Sequence, residues 1–359
     1  MGFEFTDSGI MIPKNYEIYV RPTEFQISER KLEGYKKLAE IRQFGIKYPT
    51  KFMKEFIGVE LLDAQEYTFM NSWTKPFVLW LESRAAGKTT LLALFSMVKG
   101  LIFNNYRTYI CSGTADQSQE TFKKIEDIAL KIESMTGLTD VFKNEVEISQ
   151  ANSNGFIHNP MGFTYRLYNG SFVKTLNSNI NAKRGKRCEC VCFDEGGWLS
   201  EEEFNVIGAF TTLDSNFKLG GNIDISSLPK EFPHQLLYAS SASSIDTAFY
   251  QKYRDFSKKM MLGDPKYFVA DINCDVVINA TFHGKPYVPL LNRETVETEL
   301  RNNPEKAQRE YYNKFTQDGN ANQIIKRALI VRNSYTRPPV LCNDTNERKF
   351  VLAYDPARS

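Results

Sequence analysis

The stretch from Phe77 to Thr90, FVLWLESRAAGKTT, constrains this chain more than any other. It opens with an apolar run, Phe77 to Leu81, short and bulky enough to be a buried strand. The chain then turns through Glu82, Ser83, Arg84, Ala85, Ala86 and Gly87. Lys88, Thr89 and Thr90 lead into LLALFSMVKG, whose apolar residues have helical spacing and which ends at Gly100. Strand, small-residue loop, Gly-Lys-Thr and helix make the setting of a phosphate-binding loop. A helix N-terminus offers unpaired N–H groups and the positive end of a dipole. Lys88 adds a full charge for the β- and γ-phosphates, and the Thr89 hydroxyl is placed to ligate Mg²⁺. One departure stands out: such loops ordinarily begin with Gly, and here Glu82 holds that position. A Gly-Lys-Thr alone also occurs on ordinary αβ turns. The flanking strand and helix favour the phosphate loop here.

The chain around this segment keeps an α/β rhythm. Thr108 to Ser112 is a second candidate strand, and a helix follows with Asp116, Gln117 and Gln119 near its start. This order predicts a mostly parallel central sheet flanked by helices. Phe163 to Leu176 reads as a hairpin about Asn169-Gly170, a strong two-residue turn signal. A basic loop comes next, with Lys183, Arg184, Lys186 and Arg187 around Gly185. It runs into CVCFDE, a short apolar strand ending in Asp194-Glu195. In phosphate-loop ATPases such a pair places an Asp beside Mg²⁺ and a Glu against the attacking water. Two solvated acids at a strand end are the bland alternative, which the upstream loop disfavours. Gln235 to Ser240 is a further strand, ending in the hydroxyls of Ser240 and Ser241, which suit a γ-phosphate, its water, or an ordinary turn. A helix follows from Thr247 to Met261. Upstream, Gln65 carries an amide that can both donate to and accept from a base edge, although an exposed helical Gln is the simpler reading.

Composition narrows the classes. The chain has 359 residues, 42% of them hydrophobic and 25% charged, so a sizeable core is available. The net charge of +2 sets up no global field toward nucleic acid, and any DNA contact must come from local patches. No apolar run approaches a membrane span, and the N-terminus is no signal peptide. Cys188, Cys190 and Cys192 alternate and lack the pairing of a zinc site. They are expected on one strand face as reduced core cysteines of a cytosolic protein. The expected division is a lead-in at 1–55, a phosphate-loop core at 56–261 and a smaller lid or linker subdomain at 262–345. That subdomain would carry strands at Tyr267 to Ile272 and Val276 to Ala280 and a charged helical run from Thr295 to Phe315. Residues 346–359 contain the strand-like VLAYD, Val351 to Asp355.

Together these residues resemble the large terminase subunit of tailed bacteriophages. SRAAGKT at Ser83 to Thr89 is similar to that family's deviant phosphate loop, in which an Arg precedes Gly-Lys and the first Gly is often absent. Gln65 falls where the family reads adenine. ICSGTADQSQETF, the NGS at Asn169 to Ser171, Arg184-Gly185, CVCFDE and Ser240-Ser241-Ala242 follow in the family's order. VLAYDPA is similar to the opening of its ribonuclease-H-like nuclease, with Asp355 as first metal-binding carboxylate and the remainder of that domain absent. The resemblance implies an ATPase motor that moves double-stranded viral DNA into a procapsid. It implies ATP and Mg²⁺ as cofactors. It implies a portal protein, a small terminase subunit and further copies in a ring as partners, in the cytoplasm of the infected host and not in the mature virion. By residue, Glu195, Lys88 and Arg84 would be catalytic. Gln65 and Ser83 through Thr90 would bind ATP. Thr89 and Asp194 would hold Mg²⁺, Ser240 and Ser241 would couple hydrolysis to motion, and Arg184 would be an arginine finger. The rival readings are a phosphate-loop helicase or recombination ATPase, and a non-catalytic capsid or DNA-binding adaptor with a degenerate nucleotide fold.

Overall fold

A computed structural model describes residues 3–5, 11–13, 29–132, 137–150, 152–176, 186–211, 234–316, 331–332 and 334. Seven strands form its central sheet. They are β1 (Phe77–Glu82), β2 (Arg107–Cys111), β3 (Thr164–Arg166), β4 (Phe172–Thr175), β5 (Cys190–Asp194), β6 (Gln235–Ser240) and β7 (Tyr267–Ile272). Their order across the sheet is β3-β4-β2-β5-β6-β1-β7. Every neighbouring pair is parallel except the β3–β4 hairpin, which turns at Asn169-Gly170 as the sequence predicts.

Parallel strands require crossover helices, and these cover both faces. One face packs against α1 (Glu29–Lys47), α2 (Pro49–Phe56), α3 (Asp63–Ser72), α4 (Lys88–Ile102) and α5 (Ala115–Ala129) through Ile41, Phe52, Phe69, Trp80, Phe95 and Ile125. The other packs against α6 (Glu201–Gly208) and α7 (Ala248–Met261) through Phe193, Phe204, Tyr238 and Phe249. A buried strand needs apolar residues on both faces, and β1 has them: Val78 and Trp80 join the first core, Leu79 and Leu81 the second. Side-chain caps fix where helices begin. Thr114 accepts from Gln117 N before α5, and Ser200 forms a capping box with Glu203 before α6.

Four expectations need correction. The strand at Tyr267 to Ile272 pairs with β1 along its length, so it belongs to the central sheet and not to a separate subdomain. Val276 to Ala280 is no strand. Cys274–Ile278 forms a short helix, α8, started by Asn273, whose side chain accepts from Asp275 N and Val276 N. The charged run from Thr295 is two helices, α9 (Arg293–Asn302) and α10 (Pro304–Glu310), because Pro304 restricts Asn303 to a non-helical conformation. The alternating cysteines do not share one face. Cys190 and Cys192 do, with sulfurs 3.9 Å apart, whereas Cys188 precedes β5 and is buried in the opposite core. All five described cysteines are free thiols. A third, small core joins α8, α9 and α10 through Cys274, Val277, Val296, Ala307 and Tyr311, and Ala86 of the phosphate loop is packed into it.

Candidate active site

The C-terminal ends of β1, β6 and β5 lie side by side, and the candidate residues project from them. Register fixes their spacing: Leu81 pairs with Ser240, and Ala239 pairs with Asp194. Ser240 therefore sits between the phosphate loop and the acid pair. Ligands of open parallel sheets bind at this edge.

Between β1 and α4 the backbone is folded tightly. Ala85 has φ 64° and Gly87 φ 90°. Gly87 is the N-cap of α4 and supplies no side-chain cap, so the first N–H groups of that helix are left for an anion. A Cβ on Gly87 would meet Gln65 Nε2 at 2.6 Å. Gln65 braces the loop from outside: its Nε2 donates to Ala86 O at 2.9 Å and its Oε1 accepts from Leu62 N at 3.2 Å.

From that loop Lys88 reaches across to β5, where its Nζ meets Glu195 Oε1 at 2.7 Å. Burial opposes the charge on Lys88, but Glu195, Asp194 and Glu82 outweigh it and hold the pKa above its ordinary value. Glu195 adopts a left-handed backbone at φ 50°, uncommon for any residue but glycine and concentrated at functional sites. Asp194 is buried, and both its oxygens are bonded. Thr121 Oγ1 donates to Oδ2 at 2.6 Å, and Glu195 N donates to Oδ1 at 3.0 Å. Burial pushes the Asp194 carboxyl above its usual range, against the pull of Lys88 and the Thr121 hydroxyl. Ser240 Oγ accepts from Gly197 N at 3.1 Å and so ties β6 to the turn after Glu195. Ser241 is half-buried just beyond.

Arg84 points away from this cluster. Its Nε lies 2.7 Å from Glu310 Oε2, and its N donates to Glu310 O at 2.8 Å. Ser83, Thr89 and Thr90 line the loop and the first turn of α4. Arg184 and Asp355 lie outside the described residues, as do Lys183 and the strand-like end of the chain. Three contributors escaped sequence reasoning. Thr121 and Glu310 are joined to the site only through tertiary contacts. The third is a cleft of about 50 Å³ beside the loop, lined by Leu62, Gln65, Glu82, Ile272, Val277 and Leu290 among others. The strand reaches Glu82, one residue further than its apolar run suggests, and buries it.

The chain is thus an α/β protein whose mostly parallel central sheet, flanked by helices, brings a Gly-Lys-Thr helix start to face an acid pair. Among solved structures, this fold is that of a bacteriophage large terminase. The HK97 bacteriophage large terminase matches with a TM-score of 0.52 at 13% identity, over 75% of this chain and 55% of that one. The large terminase of a thermophilic bacteriophage, solved in complex with ADP, matches at 13% identity over 71% and 53%, with a TM-score of 0.48. The ATPase domain of the Thermus phage P74-26 large terminase matches at 15% identity over 74% and 98%, with a TM-score of 0.45. The chain thus spans about half the length of the first two of these proteins. No protein-family model matches the chain, and no curated protein matches it. No helix among the described residues is long and apolar enough to cross a membrane.

Proposed function

We propose that this chain hydrolyses ATP as the motor of a viral terminase and couples that hydrolysis to movement of double-stranded DNA into a procapsid. One observation carries the reading: the Lys88–Glu195 pair, closed across the C-terminal edge of the sheet with Asp194 adjacent. The uncapped start of α4 and Lys88 take the β- and γ-phosphates. Glu195 orients a water for in-line attack on the γ-phosphorus and accepts its proton as the bond to ADP breaks. Ser240, bonded to the turn beyond Glu195, passes the change at the γ-phosphate into β6, with Ser241 beside it. Gln65 lies against the loop where a base would rest, and Arg84 balances developing charge once it leaves Glu310.

Mg²⁺ belongs to this reading. The hydroxyl of Thr89 and the carboxylate of Asp194 are hard oxygen donors suited to it, and Mg²⁺ binds through few protein ligands. No group of three or more His, Cys, Asp or Glu side chains able to hold a metal occurs among the described residues. When bound, the ion neutralises phosphate charge. Double-stranded viral DNA, a portal protein, a small terminase subunit and a ring of further copies are the proposed partners, in the cytoplasm of the infected host. Arg184 is the proposed arginine finger. Phosphate release from ATP with Mg²⁺ tests the core of the proposal, and a chain that never turns over with DNA present would leave the adaptor reading in its place.

A further inference from the structure

We infer that Glu82 reads the base of the bound nucleotide, its carboxyl group bonding the amino-and-ring-nitrogen edge of adenine from the floor of the cleft beside the phosphate loop. The inference rests on the nucleotide reading above and adds a specificity-determining residue to it. Its starting point is an imbalance among the polar groups of the cleft. Thr281 Oγ1 donates to Asp63 Oδ2 at 2.6 Å, and Asn279 Nδ2 donates to Asp275 O at 2.8 Å. Gln65 is bonded at both ends to backbone. Glu82 is only 3% exposed, and its Oε2 is buried with no hydrogen-bond partner. A buried carboxyl oxygen without a partner is costly, and a ligand donor satisfies it.

The remaining walls, Leu62, Ile272, Val277 and Leu290, are apolar and suit the faces of a flat ring. Phosphate does not fit here, because its oxygens only accept and Lys88 with the start of α4 already attracts them. The acid needs a partner that donates. A neutral carboxylic acid offers one donor and one acceptor side by side. Adenine presents the complement, an amino donor next to a ring-nitrogen acceptor. An ionised carboxylate instead suits two neighbouring donors, as on guanine. Burial favours the neutral form: it pushes Glu82 up to about 7, against the field of Lys88, so the acid is mostly protonated at pH 6 and mostly ionised at pH 8. Lys88 on α4 is the charged group that reaches Glu82. Of the strand neighbours, β7 presents Ile272 opposite Glu82, while Asp271 is turned to Asn313 and Tyr253. From α3, Asp63 bonds the turn at His283 and Gly284, and Glu66 bonds Thr50. Arg84 is paired with Glu310.

The test measures equilibrium binding of ATP, GTP, dATP and inorganic tripolyphosphate to the 359-residue chain at pH 6 and pH 8. The unmodified chain should prefer ATP to GTP, more so at pH 6. Glu82→Ala should narrow that preference by about tenfold or more, the size of a two-point base contact, with tripolyphosphate affinity retained. Glu82→Gln keeps a donor beside an acceptor and does not titrate. It should keep the preference and lose its pH dependence. An ATP-to-GTP ratio that neither substitution moves overturns the inference, and so does a change confined to dATP, which would place Glu82 on the ribose. Loss of tripolyphosphate along with ATP in both variants also overturns it, since Glu82 would then be shaping the loop. Failure of the unmodified chain to bind any nucleotide overturns the ATPase reading itself.

Discussion

Lys88 stands among three acids, and each depends on it differently. Asp194 and Glu82 are buried, so removing the ammonium leaves their charged forms without compensation. Lys88→Ala should therefore abolish hydrolysis and weaken nucleotide binding, and normal turnover would remove Lys88 from the site. Glu195→Gln keeps shape and loses the base. Phosphate release should fall by about 10²-fold or more while ATP still binds, and a parallel collapse in affinity would make Glu195 structural. A second lysine obeys the same electrostatics away from the site. Lys99 is fully buried in α4, donates to Trp73 O at 2.7 Å and lies 4.0 Å from the centre of the Trp73 ring. Burial lowers its pKa to about 7. An unfolded lysine keeps its proton up to about 10.4, so between those values the unfolded chain binds more protons and stability rises with pH. Lys99→Met removes that slope. Its stability difference from the unmodified chain should be largest below pH 7 and shrink toward pH 10, measured by denaturant midpoints. Gln235 Nε2 also donates to Trp73 O, at 3.3 Å, so the substitution is expected to leave that carbonyl a donor.

At the scale of elements, the segment after α10 is bolted to the phosphate-loop strand. Asn313 Nδ2 donates to Leu81 O at 3.1 Å and lies 2.8 Å from Asp271 Oδ1, bridging β1 and β7 just where the loop begins. Asn313 has φ 55°, a conformation Asn tolerates better than most residues. Asn313→Ala loses the bridge and keeps the strained backbone, so it should destabilise by about 2 kcal/mol. Asn313→Gly loses the same bonds with less backbone strain and should cost less. Equal midpoints for the two variants would show that the backbone conformation contributes nothing. This bridge also shows what the sequence hides. Runs such as FVLWL and CVCF announce buried strands, and Asn169-Gly170 announces its turn, because those signals are local. The placement of β6 between the loop and the acids is not local. Parallel strands buried on both faces look alike, so composition cannot rank them as neighbours. Val276, Val277 and Ile278 read as strand by their branching, whereas the Asn273 cap decides for helix. Glu82 looked like a missing glycine in the sequence. Only the tertiary fold shows it as a buried acid in a cleft, since the cleft's other walls come from residues 62–65 and from 272–290.

For the whole molecule, the question is how a nearly neutral chain would hold DNA. With a net charge of +2, long-range attraction to a duplex is weak, and contact must come from local clusters of cations. The cluster at Lys183, Arg184, Lys186 and Arg187 runs directly into β5, so DNA or a neighbouring copy engaged there would be linked by a few residues to Asp194 and Glu195. A translocating motor must also release its track at each step, which favours backbone contacts over base reading. Binding of duplex DNA by the isolated chain should accordingly be weak, indifferent to sequence and steeply dependent on salt. Log affinity should fall linearly with log salt concentration, with a slope of about −0.9 per phosphate neutralised. Replacing all four cations with Ala should flatten that slope by several phosphate contacts, by titration of a fluorescent duplex between about 50 and 200 mM salt, the range over which such contacts are lost. An unchanged slope would move the DNA surface elsewhere on the chain. Tight, sequence-specific binding that salt does not weaken would argue against a translocating motor, because such a protein could not let go.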